Sequence, residues 1–180
     1  SSDLYTAEGL LFTHTRWATR GIIGEVRDYM SFMYQDWYGT QTEEFSGRTR
    51  CAWISGFPEL FARRAPGTTC MTACAAGANG TFESPINDSK GCGGIMRIAP
   101  VGLFYSTSFS NMTRHMTYAD IQLQGAEIAA LTHGHELGWL PAGAFAQIVS
   151  MIVHEDSPLS EAVAAASATL PEAFPEARMV

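Results

Sequence analysis

The chain has 180 residues, 46% of them hydrophobic and 16% charged, with a formal net charge of -7. That size and composition suit one globular domain with a real core and exclude a disordered chain, which would carry less apolar material and more charge. Only 11 residues are Lys or Arg, too few for a nucleic-acid surface, although Arg48, Arg50, Arg63, Arg64, Lys90 and Arg97 gather locally and would suit a small anion.

In chain order, LYTAEGLLFTHTRWA puts Leu4, Ala7, Leu11 and Ala18 on one stripe and predicts a helix over Leu4 to Thr19. The run RDYMSFMYQDWYGTQ spaces Tyr29, Met33 and Trp37 four apart, the core stripe of a second helix with Gly39 as its stop. Residues Thr40 to Arg50 read as polar turn. Trp53, Ile54, Phe57, Leu60 and Phe61 mark a short apolar element, with Pro58 in a first helical turn. TTCMTACAAG reads as a helix capped by Thr68 or Thr69 and ended by Gly77. A loop follows from about Ala78 to Gly94, a length that in a compact domain points to a function.

IMRIAPVGLFY is a helical stretch that ends or kinks at Pro100. Ile121, Gln124 or Gly125, Ile128 and Leu131 mark a helix in YADIQLQGAEIAALTHGHELGWL, and Pro141 sits in the first turn of another, PAGAFAQIVSMIVHE. A last, alanine-rich helix opens at Pro158 with Ser157 as cap. No alternating strand pattern and no fixed-period repeat occurs, so the fold class is all-α, one compact multi-helix domain over residues 1–180.

The four cysteines, Cys51, Cys70, Cys74 and Cys92, form no disulfide framework, which suits a reducing, cytoplasmic setting. Cys70 and Cys74 share a helix face, but structural zinc needs about four such ligands, and buried small side chains are the simpler reading. No apolar run reaches the roughly 18 residues that cross a bilayer, and SSDLYTAEGLL lacks the basic start and cleavage pattern of a signal peptide, so no membrane partner is expected.

The stretch NDSKGCGGIMRIAP sets Gly91, Gly93 and Gly94 between a polar and an apolar run. A dinucleotide fingerprint fails, because Met96 stands where the third glycine belongs and no strand precedes it. A Walker A loop fails because Lys90 follows Ser89 and precedes Gly91, the reverse of the required order. Two readings stay open. One is a linker whose glycines turn corners; the other is a cradle whose amides, at the start of the IMRIA helix, point at a phosphate or pyrophosphate.

With FPELFARRAPGTTCMTA before it and GAEIAALTHGHELGWLPAGAFAQIV after it, the run PINDSKGCGGIMRIAPVGL resembles the ADP-ribosylglycohydrolase family, relatives of the dinitrogenase reductase activating glycohydrolase. The three blocks match in order and spacing over most of residues 4 to 155. The resemblance implies an all-α hydrolase that removes ADP-ribose from a modified protein side chain or a small ADP-ribose conjugate, using two Mg²⁺ or Mn²⁺ ions. It puts Ser89, Gly91, Cys92, Gly93, Gly94, Ile95 and Met96 in the segment that cradles diphosphate and ribose, with the backbone amides of Gly91, Cys92, Gly93 and Gly94 as donors, and Asn87 and Asp88 at sugar hydroxyls. Cys92 stands where many members carry Asn. His133 falls on the pocket wall, orienting substrate or loop.

Replacing Gly93 by Val is then expected to abolish affinity with helical content nearly unchanged. His135 reads as satisfied at a helix end, and His14, His115 and His154 as structural. The family's acidic motifs, of Asp-Asp-Thr and Asp-x-Asp-Thr type, do not occur here, and no catalytic residue or metal ligand is assigned. The resemblance therefore implies an incomplete family domain, catalytically dead or crippled on its own, or else a remnant that binds ADP-ribose or a partner.

Overall fold

The computed structural model describes residues 2–21, 24–47, 50–109 and 115–178. Among them the chain forms seven α-helices and no strand: α1 (Ser2–Arg20), α2 (Val26–Thr42), α3 (Thr68–Ala75), α4 (Ala99–Phe104), α5 (Tyr118–Ala130), α6 (Glu136–Glu155) and α7 (Leu159–Ala173). Short 3₁₀ turns occupy Trp53–Gly56, Pro58–Leu60 and Ile95–Arg97. The all-α class is as the sequence predicts, and residues 78–94 carry no regular element.

Helix α6 is the hub on which α4, α5 and α7 pack, while α1 lies against α2 and α4. Small residues let the axes come close. A methyl on Gly102 of α4 would collide with the Ala146 carbonyl oxygen and stand 2.7 Å from Val149 Cβ. On α5, one at Gly125 would stand 2.9 Å from the Ala146 methyl. Within this seam Gln122 donates to Gln147 Oε1 (2.7 Å) and to the Ala166 carbonyl (2.8 Å), so one buried amide joins α5, α6 and α7. By length and mean hydropathy, 20 residues and 1.4, α6 could cross a membrane. An apolar-run criterion passes over it because Gln147, Ser150 and His154 interrupt the sequence. Half of it is buried inside the molecule, and packing on three helices accounts for its apolarity.

Helix α1 buries a different face from the predicted stripe. Leu4 and Leu11 are 50% and 58% exposed and line an apolar groove of about 350 Å³ with Pro100 and Leu103. The buried face is Tyr5, Thr6, Glu8, Gly9, Leu10 and Thr13. Its polar members are paired: Thr6 with the Tyr34 hydroxyl (2.7 Å), Thr13 with the Gly9 carbonyl (2.7 Å). The Glu8 carboxylate accepts the N–H groups of Trp53 and Ile54, which pins the first 3₁₀ turn. Paired polar groups can be buried at modest cost, so apolar spacing alone misreads this face.

Several boundaries also move. Helix α2 runs through Gly39 to Thr42, and position 39 is glycine because the Arg50 guanidinium lies where a side chain would be. The N-cap of α3 is Gly67, with no side-chain bond, so Thr68 and Thr69 fall inside the helix. Pro100 opens α4 rather than breaking a longer helix. Helix α6 starts at Glu136, five residues before the expected Pro141, which it contains at the loss of one backbone hydrogen bond. Pro158, not Ser157, takes the N-cap of α7. Helix α5 opens on a capping box of Thr117 and Asp120.

The seam gives a direct test. Gly102→Ala is expected to lower stability by about 1–3 kcal/mol, despite a helix-propensity gain of roughly 1 kcal/mol. Gly56→Ala, where nothing stands within 4 Å, should change it by less than about 0.5 kcal/mol. Urea unfolding of both variants measures the difference.

Candidate functional site

Residues 78–94 lie across the α5–α6 turn and are fastened there by Asn87. Its Oδ1 accepts the N–H groups of Ser89 (3.0 Å) and Gly134 (3.1 Å), and its Nδ2 donates to the Thr132 carbonyl (2.9 Å). One Nδ2 hydrogen is left over. The approach is close enough to require glycine in the turn, where a methyl on Gly134 would collide with the Asn87 carbonyl oxygen, and again in the first turn of α6, where one on Gly138 would stand 2.6 Å from the Ser89 carbonyl oxygen. Ser89 ties the segment to α3 as well, its hydroxyl donating to Thr69 Oγ1 (3.3 Å) and accepting the Gly91 N–H (3.2 Å).

Asp88, Lys90, Gly91 and Cys92 are exposed, Gly93 and Ile95 are half-buried, and Gly94 is buried. Met96 is 74% exposed, its sulfur 4.0 Å from Cys92 Sγ. Of the four amides expected as donors, that of Gly91 is taken by the Ser89 hydroxyl, while those of Cys92, Gly93 and Gly94 find no protein acceptor among the described residues; the Cys92 carbonyl accepts the Met96 N–H (3.2 Å). Successive N–H groups without partners are what an anion site offers.

The segment differs from the expected cradle in two ways. The glycines here do not take left-handed angles; among the described residues the positive-φ glycines are Gly21, Gly47 and Gly77. Gly93 is small because of packing, since a methyl on it would stand 2.8 Å from Cys70 Sγ and 3.0 Å from His133 Nε2. Gly93→Val would therefore disturb the protein itself. Gly91 is the cleaner probe, its nearest neighbour to an added methyl being Ser89 Oγ at 3.3 Å. The expected IMRIA helix is also only a 3₁₀ turn followed by a six-residue α4, so little helix dipole stands behind the amides.

Beneath the segment, His133 is 1% exposed. Its Nδ1 lies 2.8 Å from the Thr132 hydroxyl, and that hydroxyl oxygen accepts an N–H from Arg97 Nη2 (2.5 Å). Arg97 is equally buried. It also donates to the Ile128 carbonyl (3.4 Å) and to Cys70 Sγ (3.9 Å), and its guanidinium carbon stands 4.1 Å from the centre of the Tyr34 ring. No carboxylate pairs with it among the described residues, and its Nε is buried without a partner.

Burial, with Arg97 adding to it, holds the His133 ring down from 6.5 to about 4, so it is neutral at physiological pH. Burial pushes the Cys74 thiol up to about 12 against the pull of Arg97. The predicted cluster of cations is thus dispersed. Arg97 is in the core, Arg50 pairs with Glu43 (2.6 Å) and lies 3.9 Å from Asp36, and Arg64 donates to the Glu59 carbonyl (2.7 Å). Arg63 and Lys90 are exposed, and Arg48 lies outside the described residues.

His135 accepts the Leu137 N–H (3.0 Å) as the N-cap of α6. His14 shares a hydrogen bond with the Tyr105 hydroxyl (2.7 Å) inside a ring of aromatic side chains, and burial holds it near 4. His154 stands 3.2 Å from the carbonyls of Gly102 and Leu103, closing the end of α4. Thr69, Thr132 and the inward turn of Arg97 escape sequence reasoning, although a lone Arg inside the apolar run IMRIAPV is a usable signal.

A cleft of about 440 Å³ beside the segment is lined by Asp88, Gly134, His135, Glu136 and Trp139, among others; neither His133 nor residues 91–94 line it. A pair of divalent cations needs several carboxylate oxygens in one place. Among the described residues no group of three or more His, Cys, Asp or Glu side chains gathers, so these residues do not fit such a pair.

The half-buried His14 and the buried His133 set a pH dependence. His14 and His133 protonate near 4 when folded but near 6.5 when unfolded, so between those values the unfolded chain binds more protons. Their contribution to stability is present above about 6.5 and is lost as the pH falls toward about 4. Asp36 and Glu127, whose carboxyls burial holds above the usual range, act in the opposite sense. Ring C–H signals followed by NMR isolate the histidines; both should titrate near 4, and a folded His133 titrating near 6.5 would contradict its burial.

A family model described as ADP-ribosylglycohydrolase matches residues 1–179. Neither a curated protein nor a solved structure matches the chain. A family match of that length, on an all-α architecture with the glycine segment fastened to the α5–α6 turn, makes this chain a member of the ADP-ribosylglycohydrolase family.

Proposed function

We propose that residues 87–96 and His133 form the ADP-ribose-binding part of a glycohydrolase domain spanning residues 1–180, acting on an ADP-ribosylated protein or a small ADP-ribose conjugate. The observation that carries this reading is the run of amides at Cys92, Gly93 and Gly94, left without protein acceptors on a segment held by Asn87 and Ser89. Diphosphate oxygens are matching acceptors. Donors already fixed by the protein lose little freedom when a ligand arrives.

The spare Nδ2 hydrogen of Asn87 and the exposed carboxylate of Asp88 suit ribose hydroxyls, one as donor and the other as acceptor. Hydrolysis adds water to the anomeric carbon as the glycosidic bond breaks and the leaving nitrogen or oxygen takes a proton. Since the described residues do not fit a pair of Mg²⁺ or Mn²⁺ ions, the role read for them is to bind and orient the nucleotide. The free thiols of Cys51, Cys70, Cys74 and Cys92 support a cytoplasmic setting. The same lack of a ligand cluster favours a second reading, a domain that binds ADP-ribose without turnover.

Calorimetry with ADP-ribose is expected to show binding, and Gly91→Ala to weaken it about tenfold, or 1.4 kcal/mol, at unchanged melting temperature. A wild-type chain that does not bind ADP-ribose overturns both readings. Release of ADP-ribose from a modified protein, assayed with added Mg²⁺ or Mn²⁺, then separates them: turnover supports the hydrolase, and binding without turnover supports the second reading.

A further inference from the structure

We infer that Thr132, held by Arg97, locks His133 in its neutral tautomer protonated at Nε2, so that the ring offers the glycine segment a hydrogen-bond donor and not a base. The consequence for a ligand rests on the reading of that segment given above; the tautomer itself does not.

The proton count decides it. A guanidinium only donates, and Arg97 Nη2 directs an N–H to Thr132 Oγ1 at 2.5 Å. Arg97, Thr132 and His133 are 1%, 0% and 1% exposed, so water does not compete. The threonine hydroxyl proton then needs an acceptor, and His133 Nδ1, at 2.8 Å, is the one the described residues supply. Were Nδ1 protonated instead, the hydroxyl oxygen would receive two donors while its own proton went unpaired on a fully buried residue. The Nε2-protonated form makes the same two bonds and carries its spare proton on Nε2, which is not among the buried side-chain atoms left without a partner, so that form is favoured.

The surroundings keep the ring from taking a second proton. Arg97 reaches it through Thr132, Cys70 lies across Gly93, and the segment and α6 present the backbones of Gly91, Gly93 and Gly138. No carboxylate is among these groups, and a ring cation beside Arg97 would be repelled. At the other edge, Nε2 faces Gly91 and Gly93, methyls on which would stand 3.5 Å and 3.0 Å from it. This N–H and the amides of Cys92, Gly93 and the buried Gly94, which have no protein acceptor, therefore stand together where the glycine segment meets the turn. Such a set suits a ligand that only accepts, as a diphosphate does, and makes Thr132 and Arg97 positioning residues that act through the ring.

The test is ¹⁵N NMR of the histidine-labelled full chain at neutral pH. His133 Nδ1 should resonate as an unprotonated acceptor and Nε2 as a protonated nitrogen; a protonated Nδ1 overturns the inference outright. Thr132→Ser should keep the wild-type pattern, and Thr132→Val should give a mixture of tautomers. Unchanged nitrogen shifts in a folded Thr132→Val also overturn it, and if that variant does not fold, the wild-type and Thr132→Ser spectra still decide. ADP-ribose affinity, read by calorimetry, should fall about tenfold in Thr132→Val and hold in Thr132→Ser. An Nε2-protonated ring in a chain that does not bind ADP-ribose leaves the lock standing and removes the ligand reading.

Discussion

A guanidinium buried without a carboxylate organises this molecule. Arg97 draws its partners from three helices: the Tyr34 ring of α2, the Cys70 sulfur of α3, and, from α5 and the turn that follows it, the Ile128 carbonyl and the Thr132 hydroxyl. Removing such an ion from water costs several kcal/mol. A desolvated cation–π contact offsets about 2 kcal/mol of that, and hydrogen bonds from a charged donor about 1.5–3 kcal/mol each. None of these partners suffices alone, so the three helices and the Ile95–Arg97 turn must assemble together. The glycine segment, ending where that turn begins, inherits its position.

Closeness is the second constraint, and it explains residues that look like flexibility in the sequence. Gly102, Gly125 and Gly143 let α4 and α5 approach α6, while Gly134 and Gly138 let residues 87–89 lie against the α5–α6 turn. Gly93 fits between Cys70 and His133 for the same reason. A chain packed this tightly gains stability from contact at short range and gives up tolerance to added methyl groups.

Much of the architecture was legible because it rests on local signals. Helical spacing finds α2, α5 and α6, the absence of alternation gives the all-α class, and the glycine-rich run marks the segment that the fold holds against His133. What escaped is set by tertiary partners. Leu4 and Leu11 have the spacing of a core stripe, yet α1 buries Thr6, Glu8 and Thr13, whose acceptors and donors sit on α1 itself, on α2 and on the Trp53 turn. Gly39 has the look of a helix stop until Arg50, eleven residues later, covers it. Cations adjacent in sequence suggested one surface, but Arg97 turns inward because Tyr34 and Thr132 await it there. No periodicity encodes such pairings.

Fastening residues 87–89 to the α5–α6 turn has a kinetic meaning. Asn87 closes three hydrogen bonds onto backbone groups, two of them on the turn itself, so the segment cannot lift without disturbing the helix junction beneath it. If ADP-ribose binds there as proposed, its capture is governed by encounter and orientation rather than by a slow ordering of the chain.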